Sequence, residues 1–161
     1  MTIESENKTR AELKRGLLLS EVYEKYGEVP LFVGEKDGKT FYVAPIRGKG
    51  LWDAIWGYVA MDENMIVQGA YFDHKGETPG LGANIKYRFF MDDFKGEHLL
   101  DASGDFKGIR VAKGNNDPKN DEKTDYEVDA IAGATITGDG VSAMIKSDLK
   151  LYVDYFKTLK Q

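Results

Sequence analysis

Two patterns of apolar residues divide the chain. In its middle, Ala54–Met61 and Ile66–Phe72 are short runs rich in β-branched and aromatic side chains, joined by Asp62-Glu63-Asn64-Met65. Such runs read as strands, and without proline they can lie inside a sheet. Leu31-Phe32-Val33 and Thr40–Ala44 flank a polar stretch whose Asp37-Gly38 predicts a hairpin turn. Near the end, Val141, Met144, Ile145, Leu149, Tyr152, Phe156 and Leu159 recur at helical steps, with Lys146, Lys150, Asp154 and Lys157 largely opposite. This predicts an amphipathic C-terminal helix of about five turns, beginning near Gly140.

Shorter signals fill the rest. Thr9 and Glu12 have capping-box spacing ahead of Leu13 and Leu17, predicting a helix over Asn7–Leu19. Gly16 weakens it by about 1 kcal/mol relative to Ala. Ser20–Tyr26 reads as a second helical piece closed by Gly27, and Glu28-Val29-Pro30 breaks the pattern. Ile85, Phe89, Phe90 and Phe94 fit one face of a short helix over the sheet, with Asp92-Asp93 as its solvated end. Asp105–Lys113, with Phe106, Ile109 and Val111, reads as a strand, and Gly114–Thr124 as a solvated loop. The architecture expected is α+β: a twisted, largely antiparallel sheet with packed helices, including a long C-terminal one. Residues 1–27 form an N-terminal helical segment and 28–161 the domain proper.

Three stretches carry candidate chemistry. An alternating apolar run from Tyr126 to Ile131 leads into Gly133-Ala134-Thr135-Ile136-Thr137, just before the last helix. Small residues let backbone N–H groups approach an anion, the helix N-terminus adds partial positive charge, and two hydroxyls are at hand. Taken alone, the stretch also reads as a small-residue crossing before a helix. The second stretch, Asp73–Ile85, holds Gly76, Gly80, Gly82 and the turn dipeptide Pro79-Gly80. Its composition reads as a surface turn, with Leu81 either plugging the core or walling a ligand. The third is Gly48-Lys49-Gly50-Leu51-Trp52, a glycine turn before a strand. Trp52 there reads as a core residue, although a rigid aromatic can also stack on a planar ligand. His74 and His98 are isolated, so no metal site is expected.

Charge and composition narrow the classes. With 22 basic and 27 acidic residues among 161, and no basic cluster, nucleic acid is not an expected partner. The absence of cysteine excludes disulfides, thiolate metal sites and a cysteine nucleophile. No stretch reaches the roughly twenty apolar residues of a membrane span, and the polar MTIESENKTR is not a signal peptide.

Asp129, Gly133, Ala134, Thr135 and Thr137 resemble the flavinylation motif of the FMN-binding domain family, D-x-x-[ST]-G-A-[ST]-x-[ST]; Ala132 departs from it. Glu77–Gly82, ETPGLG, is similar to the flavin-carrying subunits of two membrane electron-transfer complexes. GKGLW at Gly48–Trp52 looks like the C subunit of the sodium-translocating NADH:quinone reductases rather than the G subunit of the Rnf-type complexes. The resemblance implies FMN esterified to Thr137, with Thr135, Ala134 and Gly133 around the phosphate. It implies Thr78, Leu81 and Gly82, with Glu77, in a loop beside the flavin, and Trp52 near it. Asp129 would orient the motif. Lys113 reads as an exposed strand-end lysine, or as a group reaching the phosphate or the flavin's pyrimidine edge. Expected partners are the other subunits of the membrane reductase and a flavin transferase. The resemblance further implies a membrane anchor before Met1, and a soluble domain facing the periplasm at the bacterial inner membrane. The Rnf-type G subunit and a non-redox module holding a phosphate-bearing ligand stay open as alternatives.

Overall fold

The computed structural model describes Glu12 and residues 16–160. The helix expected over Asn7–Leu19 falls largely outside the described residues, and its Thr9 cap wholly so. The second piece is α1, Leu19–Tyr26. The Leu18 N–H donates to the Glu21 carboxylate at its start (2.6 Å), and the Gly27 N–H donates to the Tyr23 carbonyl at its end (2.7 Å). Glu12 accepts from Lys25 Nζ (2.7 Å) and the Tyr26 hydroxyl (3.1 Å).

Four strands, β1 (Phe32–Lys36), β2 (Lys39–Lys49), β3 (Ala54–Met61) and β4 (Val67–His74), form one antiparallel sheet in chain order. Asp37 and Gly38 both take positive φ, 54° and 74°, the turn geometry whose twist matches the strands it joins. Alternation buries Tyr42, Ala44 and Ile46 of β2 and Ile55, Val59 and Met61 of β3 on one face. Against that face packs α3, Thr135–Leu149, through Val141, Met144, Ile145 and Leu149.

α3 starts at Thr135, earlier than the pattern suggested. Gly138 and Gly140 look like turn residues, yet both are helical, and packing explains them. A Cβ on Gly140 would strike the Lys49 carbonyl at the end of β2, and one on Gly138 would meet Val111 Cγ1 at 3.0 Å. Further along, the Asp148 carboxylate accepts the Arg47 N–H at 2.8 Å, beyond the last β1–β2 pair at Phe32 and Val43. The expected single helix then changes pitch: a 3₁₀ turn at Lys150–Tyr152 leads into α4, Val153–Thr158. At that turn the buried Tyr152 hydroxyl donates to the Pro30 carbonyl at 2.6 Å.

The helix expected over Ile85–Phe94 is a 3₁₀ turn (Gly82–Lys86), α2 (Arg88–Met91) and a second 3₁₀ turn (Asp92–Phe94). Ile85, Phe90 and Phe94 are buried, and Phe94 lies edge-on to Phe72 (5.0 Å) and Phe90 (5.2 Å); Phe89 is exposed. Burial raises the Asp93 carboxyl above its ordinary range, so this end is less solvated than expected. The strand expected at Asp105–Lys113 shrinks to β5, Arg110–Val111, parallel to β6, Glu127–Val128. Positive φ at Gly108 (76°) and Tyr126 (62°) stops extension just before each. The loop between them is not wholly solvated. Asn120 is buried, and its amide donates to the Asp93 carbonyl and to Glu97 Oε1 (3.0 Å). Among the described residues no helix is long and apolar enough to cross a membrane.

Candidate functional site

α3 opens on Ala134, which has no side-chain oxygen to cap it. The first N–H groups, which lack intrahelical acceptors in any helix, therefore have no cap side chain to answer them here and carry the positive end of the dipole. Thr135 is exposed and Ile136 is 56% exposed, whereas Thr137 is 2% exposed. The reason lies sixty residues earlier in the chain. Thr137 Oγ1 donates to Glu77 Oε2 at 2.8 Å, and Glu77 is itself buried.

Glu77 collects further donors. Its Oε1 accepts the Trp52 N–H at 3.1 Å and the Asp53 N–H at 3.5 Å. Its own N–H donates to His74 Nδ1 (3.1 Å), while His74 Nε2 is buried without a hydrogen-bond partner among the described residues. Beside it the Pro79-Gly80 turn is closed by the Leu81 and Ala83 N–H groups, both donating to the Thr78 carbonyl at 3.1 Å. Leu81 leans over Gly133, where a Cβ would come within 2.8 Å of Leu81 Cδ2. Trp52 Nε1 donates to Thr78 Oγ1 at 3.2 Å, and the ring is 65% exposed. Trp52 is therefore not the core residue expected; the turn at Gly50, whose N–H donates to the Asp53 carbonyl, directs it outward. Asp53 pairs with Lys75 Nζ at 3.1 Å. The Ala54 N–H, then Lys75, holds its carboxyl below the usual range.

Between these parts runs a groove of about 230 Å³, lined by Leu51, Glu77, Thr78, Leu81, Gly82 and Gly133–Thr137. Its chemistry is two-sided. The uncapped helix start and the Thr135 hydroxyl suit an anion, while the exposed Leu51, Leu81 and Ile136, with Trp52 beyond, suit a flat apolar body.

The FMN-binding domain family matches residues 50–150. The chain belongs to that family. As an FMN-binding domain it is similar to the C subunit of the Na(+)-translocating NADH-quinone reductase of Pseudomonas aeruginosa, 36% identical over 125 residues. That match covers 76% of this chain and 46% of the relative. The Yersinia pestis C subunit is 38% identical over 116 residues, 71% of this chain and 41% of the relative. The chain thus spans less than half the length of these curated relatives. Among solved structures, the C subunit from Parabacteroides distasonis superposes with a TM-score of 0.75 at 37% identity, over 86% of this chain and 67% of that one. Shewanella oneidensis NqrC gives 0.68 at 32% identity, over 80% and 60%.

In this FMN-binding domain the fold gathers Glu77, Thr78, Leu81, Gly82, Gly133, Ala134, Thr135 and Thr137 in one groove, with Trp52 bonded to Thr78 beside it. Lys113 and Asp129 are not among the lining residues. Asp129 Oδ1 instead accepts the N–H groups of Asn116 (3.1 Å) and Asp117 (3.3 Å), shaping the loop after β5. The second stretch is more than a surface turn, because Glu77, Gly82, Ala83 and Ile85 are buried. Thr137 is not presented as expected, since its hydroxyl is committed to Glu77. Leu51 and Ile136 were missed as lining residues. Ile136 is a lone large apolar residue between two threonines and Leu51 follows Gly-Lys-Gly beside Trp52, which was the available signal.

Proposed function

We propose that this chain carries FMN in the groove at the start of α3, as the flavin-bearing part of a membrane NADH:quinone reductase. The observation that carries the reading is the exposed Thr135 on an uncapped helix start, facing the Leu81 loop across a groove with an apolar rim. The residues fit such a group: the helix amides and Thr135 suit its phosphate, and Leu51, Leu81 and Trp52 suit its ring system. Bound FMN supplies reversible electron transfer; the chain supplies position, shielding and electrostatics. The relatives named above are all C subunits of the sodium-translocating reductase, which favours that complex over the Rnf type. Its other subunits and a periplasm-facing position belong to the same reading.

The attachment point in this proposal is Thr135 rather than Thr137. A hydroxyl that attacks phosphorus must be reachable, and Thr137 would first have to leave Glu77. Joining a phosphomonoester to a hydroxyl expels water and is unfavourable in water. Attachment would therefore need an activated flavin phosphoanhydride and a transferase: Thr135 Oγ1 would bond to the flavin-side phosphorus, the anhydride bond would break with the other phosphate fragment leaving as a monophosphate, and a base would take the hydroxyl proton.

The test is co-expression with a flavin transferase, denaturation, and mass analysis of the peptide spanning Ala132–Asp139. Wild type and Thr137→Val are expected to carry the FMN mass, and Thr135→Val to lack it. An adduct lost in Thr137→Val and kept in Thr135→Val returns the attachment to Thr137. A wild-type chain with no adduct, and no flavin absorbance before denaturation, overturns the flavin reading in favour of the non-redox module.

A further inference from the structure

The geometry points to Glu77 as the positioning residue of the groove, a carboxylate that fastens three separate segments into one site. Its use for a flavin rests on the reading above; the fastening itself does not. Each segment joined to Glu77 contributes lining residues. The Gly50–Asp53 turn brings Leu51 to the lining and Trp52 beside it, and donates the Trp52 and Asp53 N–H groups to Oε1. The loop that carries Glu77 also carries Thr78, Leu81 and Gly82. The first turn of α3 brings Thr135 and Ile136 and donates the Thr137 hydroxyl to Oε2.

Nothing local requires this arrangement. Glu77 is 4% exposed, and among the described residues its partners are hydrogen-bond donors rather than a lysine or arginine. Backbone amides in fixed positions and one hydroxyl take the place of water around the charge. The neighbouring sequence is cut to fit. A Cβ on Gly50 would overlap Glu77 Oε1, and one on Gly82 would overlap Thr137 Oγ1 and come within 2.9 Å of Glu77 Oε2. Two glycines and a threonine from three places in the chain thus meet one carboxylate. The two hydroxyls of the T-x-T pair are thereby divided in use. Thr137 holds the helix start to the loop, and Thr135 faces the groove.

The test compares Glu77→Leu, which removes every acceptor, with Glu77→Gln, which keeps an oxygen for Trp52 and Asp53 and offers an N–H toward Thr137. Thr137→Val and Thr137→Ser probe the other end of the bond. Amide hydrogen exchange is read first, on the protein without flavin. Glu77→Leu is expected to exchange about tenfold faster at Trp52, Asp53 and the first turn of α3, the size of one lost net hydrogen bond. Glu77→Gln is expected to restore most of that protection. Thr137→Val should loosen the helix start alone, and Thr137→Ser should repair it. The rate of flavin loading by the transferase, and the visible circular dichroism of the loaded protein, are read second and should follow the same order, with Thr137→Val loading more slowly than wild type but still acquiring the adduct.

Unchanged exchange in both Glu77→Leu and Thr137→Val overturns the proposal, as does Glu77→Gln behaving like Glu77→Leu. If Glu77→Leu does not fold, Glu77→Gln and the two Thr137 variants still decide between these outcomes. Should the wild type carry no flavin at all, the flavin reading falls, and the exchange data still judge the fastening.

Discussion

Glu77 and Glu97 are both buried carboxylates, and their surroundings differ. Around Glu77, two backbone amides and a hydroxyl use both oxygens, and three segments are joined. Around Glu97, Oε1 takes the Asn120 amide at 3.0 Å and lies 3.8 Å from Lys123 Nζ, while Oε2 is buried without a hydrogen-bond partner among the described residues. Burial, partly offset by the Asn120 bond and Lys123, pushes the Glu97 carboxyl up to about 7. One glutamate is built into the groove at the start of α3; the other leaves a loop sensitive to protons. What a buried carboxylate does is decided by how many of its lone pairs the fold answers.

The contrast is broken most strongly at Gly82. Gly82→Ala pushes a methyl group into Thr137 Oγ1 and Glu77 Oε2. A loss of about 2–3 kcal/mol is expected, a fall of about 5–10 °C in melting temperature by calorimetry. A melting temperature within about 1 °C of wild type would show that the groove yields easily.

Acidity sharpens the contrast from the other side. A carboxyl with a raised folded pKa binds its proton more tightly in the native state than in the unfolded one. Its native state is therefore favoured as pH falls, and stability is lost as pH rises through the folded value. For Glu97 the window runs from 4.5 to about 7, and for Asp148, also raised by burial, from 3.8 to about 6. Melting temperature is therefore expected to fall by about 3–6 °C between about pH 5.5 and about pH 8, mostly through Glu97. Glu97→Gln should flatten that slope; a slope that persists would assign it to other groups. Below about pH 4 the trend reverses, because Asp53, Asp101 and Asp117 have lowered folded pKa values and lose their hydrogen bonds on protonation.

The smallest effect on stability is expected at Trp52. Because its ring is mostly exposed, Trp52→Ala should cost less than about 0.5 kcal/mol in thermal unfolding. The visible spectrum or potential of the flavin-loaded protein should move instead. A large loss of stability would mean that Trp52 supports the Thr78 loop more than it faces a ligand.

What could be read from the sequence was what neighbours in sequence decide. Asp37-Gly38 specifies its own turn, so the first hairpin was legible, and the apolar runs marked β3 and β4. The periodic Val141–Phe156 marked the last helix, but its start was hidden: Gly138 and Gly140 serve contacts with Val111 and Lys49 that no local pattern announces. The groove was legible only through family resemblance, because Glu77 and Thr137 are far apart in the chain. Distance also hid the Asn120–Glu97 contact. The burial of Thr137 and the exposure of Trp52 were hidden for the same reason: each is set by a hydrogen bond to the Glu77–Thr78 pair, and composition says nothing of such a bond.

The tie between Tyr152 and the Pro30 carbonyl has a mechanical consequence. Tension arriving through the segment before β1 would meet two attachments, the sheet edge and the last helical stretch. Load is then shared across the molecule rather than peeling one strand from the rest, and the far end of the helix that opens at the groove bears part of it.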